Sequence, residues 1–230
     1  MESTRRGWFI TLEGPDGAGK SVAAAQLAED LRASGRTVTA TREPGGTRLG
    51  ERVRAIVLDL DSDRNPSAPE AEALLFNAAR SQHVREVIVP ALARGDVVVC
   101  DRYAASTLAY QGYGGGVSLE ALRQVERLAI GDTRPDLVLL LDIPVEVGLS
   151  RRDRGDPRQI TRFEEESLYD AAFHRRVRAG FLALADADPT HWRVVDGNRS
   201  AREVSAEIAR IVDEFLAARD PLPAVARMQG

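Results

Sequence analysis

Short apolar runs alternate with longer amphipathic stretches along this chain, and the two periods predict different elements. Residues 97–101 (Val-Val-Val-Cys-Asp) and 137–142 (Leu-Val-Leu-Leu-Leu-Asp) are apolar up to a terminal carboxylate. That is the pattern of central parallel strands buried on both faces. Residues 8–13, 37–42 and 192–195 complete a set of five strands. Between the strands, apolar side chains recur at helical spacing over 21–34, 48–58, 118–131, 145–152, 163–185 and 201–218. Ser118 is placed to cap one of these helices, and Gly35 and Gly131 to end two of them. A longer helical pattern runs over 70–94 through Leu74, Ala78, Val84, Ile88 and Leu92, closed by Gly95, with Pro90 expected to kink or shorten it. Residues 103–110 are expected to be helical, and Gly112-Tyr-Gly-Gly-Gly to form a flexible hinge or turn. The Pro-containing stretch 59–69 reads as a loop, the charged stretch 153–161 as a mobile loop, and 220–230 as a loosely packed tail.

Strands alternating with helices predict the α/β class: five parallel strands, doubly wound, with helices on both faces and ligands at the C-terminal strand ends. With 230 residues and no long linker, the expectation is one domain over 1–219. A composition 43% hydrophobic and 29% charged is that of a globular chain rather than a disordered one. The net charge of −4 comes without a basic block, which argues against a nucleic-acid partner. No apolar run approaches the roughly 20 residues of a membrane span, and no signal-peptide core follows the N-terminus. A cytoplasmic location with no membrane partner is therefore expected. The single cysteine, Cys100, sits in an apolar run and reads as a core residue. His83, His174 and His191 are scattered without metal-ligand spacing.

Candidate chemistry concentrates in one stretch. Gly14, Pro15, Asp16, Gly17, Ala18, Gly19, Lys20 and Ser21 spell Gly-x-x-x-x-Gly-Lys-Ser between a strand and a helix, the phosphate-binding loop. Its glycines permit a backbone concavity whose N–H groups point at phosphate oxygens, and the following helix adds its positive end. Lys20 can reach the β- and γ-phosphates of a nucleotide, and the Ser21 hydroxyl can ligate Mg²⁺. In a parallel sheet, Glu43-Pro-Gly-Gly and Asp101-Arg102-Tyr103 gather on the same edge. Asp101 then stands where a strand-end carboxylate holds Mg²⁺ beside Ser21, and Arg102 suits a second phosphate. A structural Asp101–Arg102 ion pair is the alternative. Arg151, Arg152, Arg154, Arg158 and Arg162 flank or occupy the 153–161 loop, as in a lid closing over a transferring phosphoryl group; a solvated charged surface is the alternative. Together these features describe a small P-loop kinase with an arginine-rich lid, at about 151–162, acting on a phosphate-bearing acceptor.

Further motifs carry a resemblance to one family. Leu12-Glu-Gly-Pro-Asp-Gly-Ala-Gly-Lys-Ser21, Thr41-Arg-Glu-Pro-Gly-Gly-Thr47 and Leu75-Phe-Asn-Ala-Ala-Arg80 come in order. Asp101-Arg-Tyr-Ala-Ala-Ser-Thr-Leu-Ala-Tyr-Gln-Gly112, Pro135-Asp-Leu-Val-Leu-Leu-Leu-Asp142 and Arg162-Phe-Glu-Glu-Glu-Ser167 follow. The chain thereby resembles the thymidylate kinases, nucleoside monophosphate kinases of the P-loop fold. The resemblance implies transfer of the γ-phosphoryl group of ATP to dTMP with Mg²⁺, and a homodimer. It implies that Phe76 stacks on the base, that Arg80, Thr107 and Gln111 read the base edge, and that Tyr110 sits against the sugar. Arg54 and Arg102 would face the acceptor phosphate, Glu43 would belong to the substrate site, and Asp16 would hold the 3′-hydroxyl region and the metal environment. One variant of the family carries a basic residue inside the loop, where this chain has Gly17. The resemblance therefore implies a catalytic cation from the lid, Arg154 first, with Arg151 and Arg158 as substitutes.

The chain departs from the family pattern at Val22, where a second Thr or Ser is usual, and in Gly112-Tyr-Gly-Gly-Gly116, which lacks an arginine. Two other readings remain: a related kinase with another acceptor, such as dUMP or a deoxynucleoside, and a silent nucleotide-binding regulator. Arg54 and Arg102 favour a monophosphate acceptor, and retention of Lys20 and Asp101 favours an active enzyme.

Overall fold

A computed structural model describes residues 7–58, 68–153 and 171–219. Strands β1 (Trp8–Glu13), β2 (Val38–Arg42), β3 (Val97–Asp101), β4 (Leu137–Asp142) and β5 (Trp192–Asp196) form one parallel sheet in the order β2-β3-β1-β4-β5. The helices are α1 (Lys20–Ala33), α2 (Arg48–Val57), α3 (Pro69–His83), α4 (Val89–Ala93), α5 (Ala104–Thr107), α6 (Leu119–Ile130), α7 (Val145–Asp153), α8 (Ala171–Ala187) and α9 (Ala201–Arg219). Leu12 lies opposite Asp101 of β3 and Leu139 of β4, so β1 and β3 end at one level. The chain leaves β1 between neighbours reached by crossovers on opposite sides, which opens a crevice there.

Alternate strand residues serve opposite faces, as a pleated strand requires. Ile10, Leu12, Val97, Val99 and Leu139 pack under Leu27 and Leu31 of α1 and Ile208 and Val212 of α9. Phe9, Val98 and Cys100 pack on the other face with Ile88, Ala91 and Leu92, while Leu140 meets Val177 and Phe181 of α8. Each large apolar side chain so buried contributes about 1.5–3 kcal/mol. An exposed helix pair such as Arg210–Glu214 adds about 0.3–0.5 kcal/mol. The two buried faces, not the surface ion pairs, therefore hold the layers together.

Two sequence expectations are corrected. The helix expected over 70–94 is interrupted: α3 gives way to a π-helical turn at Val84–Ile88 before α4. The Val89 N–H reaches back five residues to the Val84 carbonyl, so the wider turn admits Pro90, which has no N–H to donate, without ending the helix. Likewise 103–110 is not one α-helix followed by a hinge; α5 runs directly into a second π turn, Leu108–Gly114. Gly114 is buried there because a Cβ would lie 2.7 Å from the Phe173 ring of α8. The glycine serves close packing, not flexibility. The lid beyond Asp153, the first part of the helix expected over 163–185, most of the loop expected over 59–69 and the tail lie outside the described residues.

Candidate active site

The Gly14-to-Ser21 loop joins the end of β1 to the start of α1. Gly19, at φ +86°, caps α1 without a side-chain hydrogen bond, and no acidic residue occupies the first turn. By contrast, Thr47 Oγ1 accepts from Gly50 N–H at α2, and Ser118 Oγ accepts from Ala121 N–H at α6. The first-turn N–H groups of α1 are thus left for an anionic ligand. Lys20 is buried, and its Nζ donates to the Pro15 carbonyl at 2.8 Å. Burial, then the charge of Arg102, brings its pKa down to about 8.

The arginine after β3 is folded back onto this loop. Arg102 holds φ +68°, the only non-glycine among the described residues with a positive φ. Three bonds fix that turn: Arg102 N–H to the Leu12 carbonyl (3.0 Å), Cys100 Sγ to the Arg102 carbonyl (3.0 Å) and Tyr103 N–H to Glu13 Oε1 (2.8 Å). Its guanidinium donates to the Gly14 carbonyl (3.2 Å), to Tyr110 Oη (3.2 Å) and to Asp16 Oδ1, while Tyr110 Oη donates to Asp16 Oδ2 (2.7 Å). Burial alone would raise the Asp16 pKa, but Arg102 and Lys20 outweigh it and hold the carboxyl below its usual range. The Asp101–Arg102 ion pair does not form, since Arg102 pairs with Asp16. Asp101 instead accepts from Ser21 Oγ at 2.5 Å through Oδ2, and its Oδ1 is buried without a hydrogen-bond partner. A hydroxyl beside a carboxylate with an unused oxygen fits a hard divalent cation such as Mg²⁺, which needs only one or two protein oxygens.

Sequence reasoning gave no role to Glu13, which is fully buried. Ser106 Oγ donates to Glu13 Oε2 at 2.6 Å and accepts from Arg102 Nη1 at 3.1 Å, so Glu13 supports Arg102 from behind. The signal that singled out Asp101, a carboxylate ending an apolar strand, is equally present at Glu13. Burial pushes the Glu13 pKa up to about 7, against the lowering effect of Ser106 and Arg102. A carboxyl raised in the folded state favours folding below its ordinary value near 4.5, and this contribution is lost as the pH rises through 7. Glu13→Gln, which cannot ionise, is therefore expected to gain stability on the wild type between about pH 4.5 and pH 7, by on the order of 3 kcal/mol. Urea unfolding of both proteins across that range checks this, and a constant difference would contradict it.

A second buried network stands across the crevice. Glu43 Oε2 accepts from Arg80 Nε (2.8 Å), and Glu43 Oε1 lies 2.9 Å from His83 Nδ1, whose Nε2 lies 2.7 Å from Thr41 Oγ1. Arg80 also donates to Asn77 Oδ1 (3.0 Å), the Tyr103 carbonyl (3.3 Å) and Thr107 Oγ1 (3.0 Å). Four of the five guanidinium N–H groups are thereby engaged, leaving one on Nη1. His83 was not legible from spacing, because its partners come from β2 and the turn after it.

One cavity of about 570 Å³ joins these groups. Asp16, Gly17, Gly19, Lys20, Ser21 and Asp101 line it, as do Phe76, Arg80, Thr107, Tyr110 and Gln111, with Tyr110 Oη joining the two sets through Asp16. Glu43, Arg54 and Arg102 line it as well, together with Arg42, Pro44, Tyr103 and Ser106, to which the sequence assigned nothing. Gly14, Pro15 and Ala18 belong to the loop without lining the cavity. Arg151, at the end of α7, donates to the Gly197 carbonyl at 2.9 Å and does not line it either. Asp142 at the end of β4 is bound by Arg178 of α8 through two bonds, at 2.7 and 2.8 Å. Arg154 and Arg158 lie outside the described residues.

Lys20 of the Gly14-to-Ser21 loop and Arg54, Arg80 and Arg102 from other elements open into one cavity. A donor and an acceptor of a phosphoryl group require that arrangement, and it places the chain among the P-loop kinases. Known proteins narrow the class. Residues 12–208 match the family model for thymidylate kinase. The chain is 52% identical over 209 residues to a thymidylate kinase of Thermomicrobium roseum, covering 91% of this chain and 96% of that one. It is 51% identical over 210 residues to one of Deinococcus radiodurans, covering 91% and 98%. The crystal structure of thymidylate kinase from Ehrlichia chaffeensis superposes with a TM-score of 0.72 at 31% identity, covering 90% of this chain and 99% of that one. The chain belongs to the thymidylate kinase family, and it is a phosphotransferase.

Proposed function

We propose that this chain transfers the γ-phosphoryl group of ATP to dTMP, giving dTDP and ADP, with Mg²⁺. The observation that carries this reading is one cavity of about 570 Å³ lined both by Lys20 and Ser21 of the phosphate loop and by Arg54, Arg102, Phe76 and Gln111. In it the loop N–H groups and Lys20 hold the ATP phosphates. Arg102 and Arg54 receive the acceptor phosphate, and Asp16 orients Arg102 while reaching the acceptor sugar. Phe76 stacks on thymine, Tyr110 closes against the sugar, and Arg80, Thr107 and Gln111 bond the base edge. Glu43 acts from behind by fixing Arg80. Ser21 and Asp101 would hold Mg²⁺, which when bound would neutralise charge on the donor phosphates. Little covalent chemistry is asked of the protein, because positioning and cations suffice for phosphoryl transfer.

The same reading takes 1–219 as one kinase domain with a lid at about 151–162, where Arg154 supplies a further cation and Arg151 serves the donor nucleotide. Among the described residues no helix is long and apolar enough to cross a membrane, which is compatible with a cytoplasmic enzyme. Ile56 of α2, Leu74 of α3 and Leu128 of α6 are exposed on neighbouring helices and support a homodimer. A coupled ADP-release assay with dTMP, dUMP, dCMP and dGMP side by side tests the reaction. Fastest turnover with dTMP is expected, and no advantage for dTMP would overturn the assignment.

A further inference from the structure

Behind Gln111 stands a residue that does not line the cavity. Gln111 and Glu72 are both nearly fully buried, and Gln111 Nε2 donates to Glu72 Oε2 at 3.3 Å. A carboxylate only accepts, whereas an amide presents a donor on one side and an acceptor on the other. Glu72 therefore selects which side of Gln111 turns inward, and the side left over is the carbonyl. Gln111 Oε1 accepts from no described residue and is not among the buried atoms lacking a partner. Since Gln111 lines the cavity and Glu72 does not, that acceptor is offered to the cavity. Arg80, on the same cavity wall, offers its one remaining donor.

Resting on the acceptor assignment above, we infer that Glu72 is a positioning residue for substrate specificity. By fixing the Gln111 amide with its nitrogen inward, it confines the acceptor to pyrimidines with an imide edge. An imide such as that of thymine or uracil sets a carbonyl beside an N–H, and so meets a donor from Arg80 and an acceptor from Gln111. Cytosine sets an amino group beside an unprotonated ring nitrogen, so it would bring donor against donor and acceptor against acceptor. A site with fixed buried polar groups rejects such a mismatch far more strongly than one whose groups can turn.

The test is Glu72→Gln, close in shape but able to accept or donate. The Gln111 amide can then turn over and still meet a complementary group at residue 72. The ratio of kcat/KM for dTMP to that for dCMP is expected to fall by about tenfold or more, with kcat for dTMP near the wild-type value and the dTMP-to-dUMP ratio unchanged. Glu72→Met, which removes the inward acceptor altogether, is expected to shift the dTMP-to-dCMP ratio in the same direction. In a Gln111→Leu background, Glu72→Gln should no longer move the ratio. A dTMP-to-dCMP ratio unchanged in both Glu72 variants, whatever their stability, would overturn the inference, because a merely structural role lowers both substrates together. So would an undiminished Glu72→Gln effect in the Gln111→Leu background. Wild-type protein that turns over dCMP as well as dTMP would instead remove the acceptor assignment itself.

Discussion

Lys20→Ala is expected to lower turnover a hundredfold or more, the scale on which removal of a preorganised charge at a reacting centre is felt. The ammonium group is buried at the base of the phosphate loop and tied to the Pro15 carbonyl, so it is fixed before a nucleotide arrives. Burial and Arg102 have already brought its pKa to about 8, which means its charge is poorly compensated in the unliganded site. Donor phosphates supply the missing compensation, and the charge is then available as negative charge redistributes in transfer. Alanine leaves the loop N–H groups in place, so ATP should still bind, and kcat should fall more than affinity. Steady-state ADP release with ATP titration separates the two. Near-normal kcat would contradict the role of Lys20.

Gly17→Arg is expected to damage the protein rather than to supply a cation from the loop. Gly17 has φ +74°, and a Cβ there would lie 2.2 Å from the Gly148 carbonyl of α7. Gly148 in turn would bring its own Cβ to 2.6 Å from the Asp16 carbonyl, so loop and helix meet backbone to backbone. A non-glycine residue in the left-handed region costs about 1–2 kcal/mol, and displacing a packed backbone about 1–3 kcal/mol more. For a chain of this size the sum corresponds to a fall in thermal midpoint on the order of 10 °C. Turnover should fall too, since Gly148 of α7 packs on the Asp16 backbone and its displacement shifts Asp16. Thermal denaturation with the ADP-release assay checks both, and an unchanged midpoint would contradict the contact.

Several elements were readable because the information lies in neighbouring residues. The apolar runs ending in Asp101 and Asp142 were strands at the stated bounds, and Ser118 caps α6 as its position suggested. Phe76, Arg80, Thr107, Tyr110 and Gln111 were singled out by resemblance, and the fold brings all five to the wall of one cavity. The π turns were not readable: the glycines of 112–114 look like a hinge in sequence, and only the packing of α6 on Gly112 and of α8 on Gly114 reveals their purpose. Glu13, His83 and Glu72 were missed for a common reason. Each acts through a partner far along the chain, at separations of 93 residues to Ser106, 40 to Glu43 and 39 to Gln111.

By itself the sequence determined the Gly14-to-Ser21 loop, because tight glycine turns, a helix start and the Lys20 position are set by adjacent residues. It also determined which runs are buried strands, since hydrophobic pattern dictates burial. Only the tertiary structure decided how the charges pair. Arg102 could have paired with its neighbour Asp101, but the register of β3 beside β1 turns it onto Asp16, 86 residues away. That choice leaves Asp101 with an unpartnered oxygen beside Ser21 and sets Lys20, Arg102 and Asp16 together on the cavity wall. Charges attract any opposite partner within reach, so strand order and backbone turns, not residue type, choose among them.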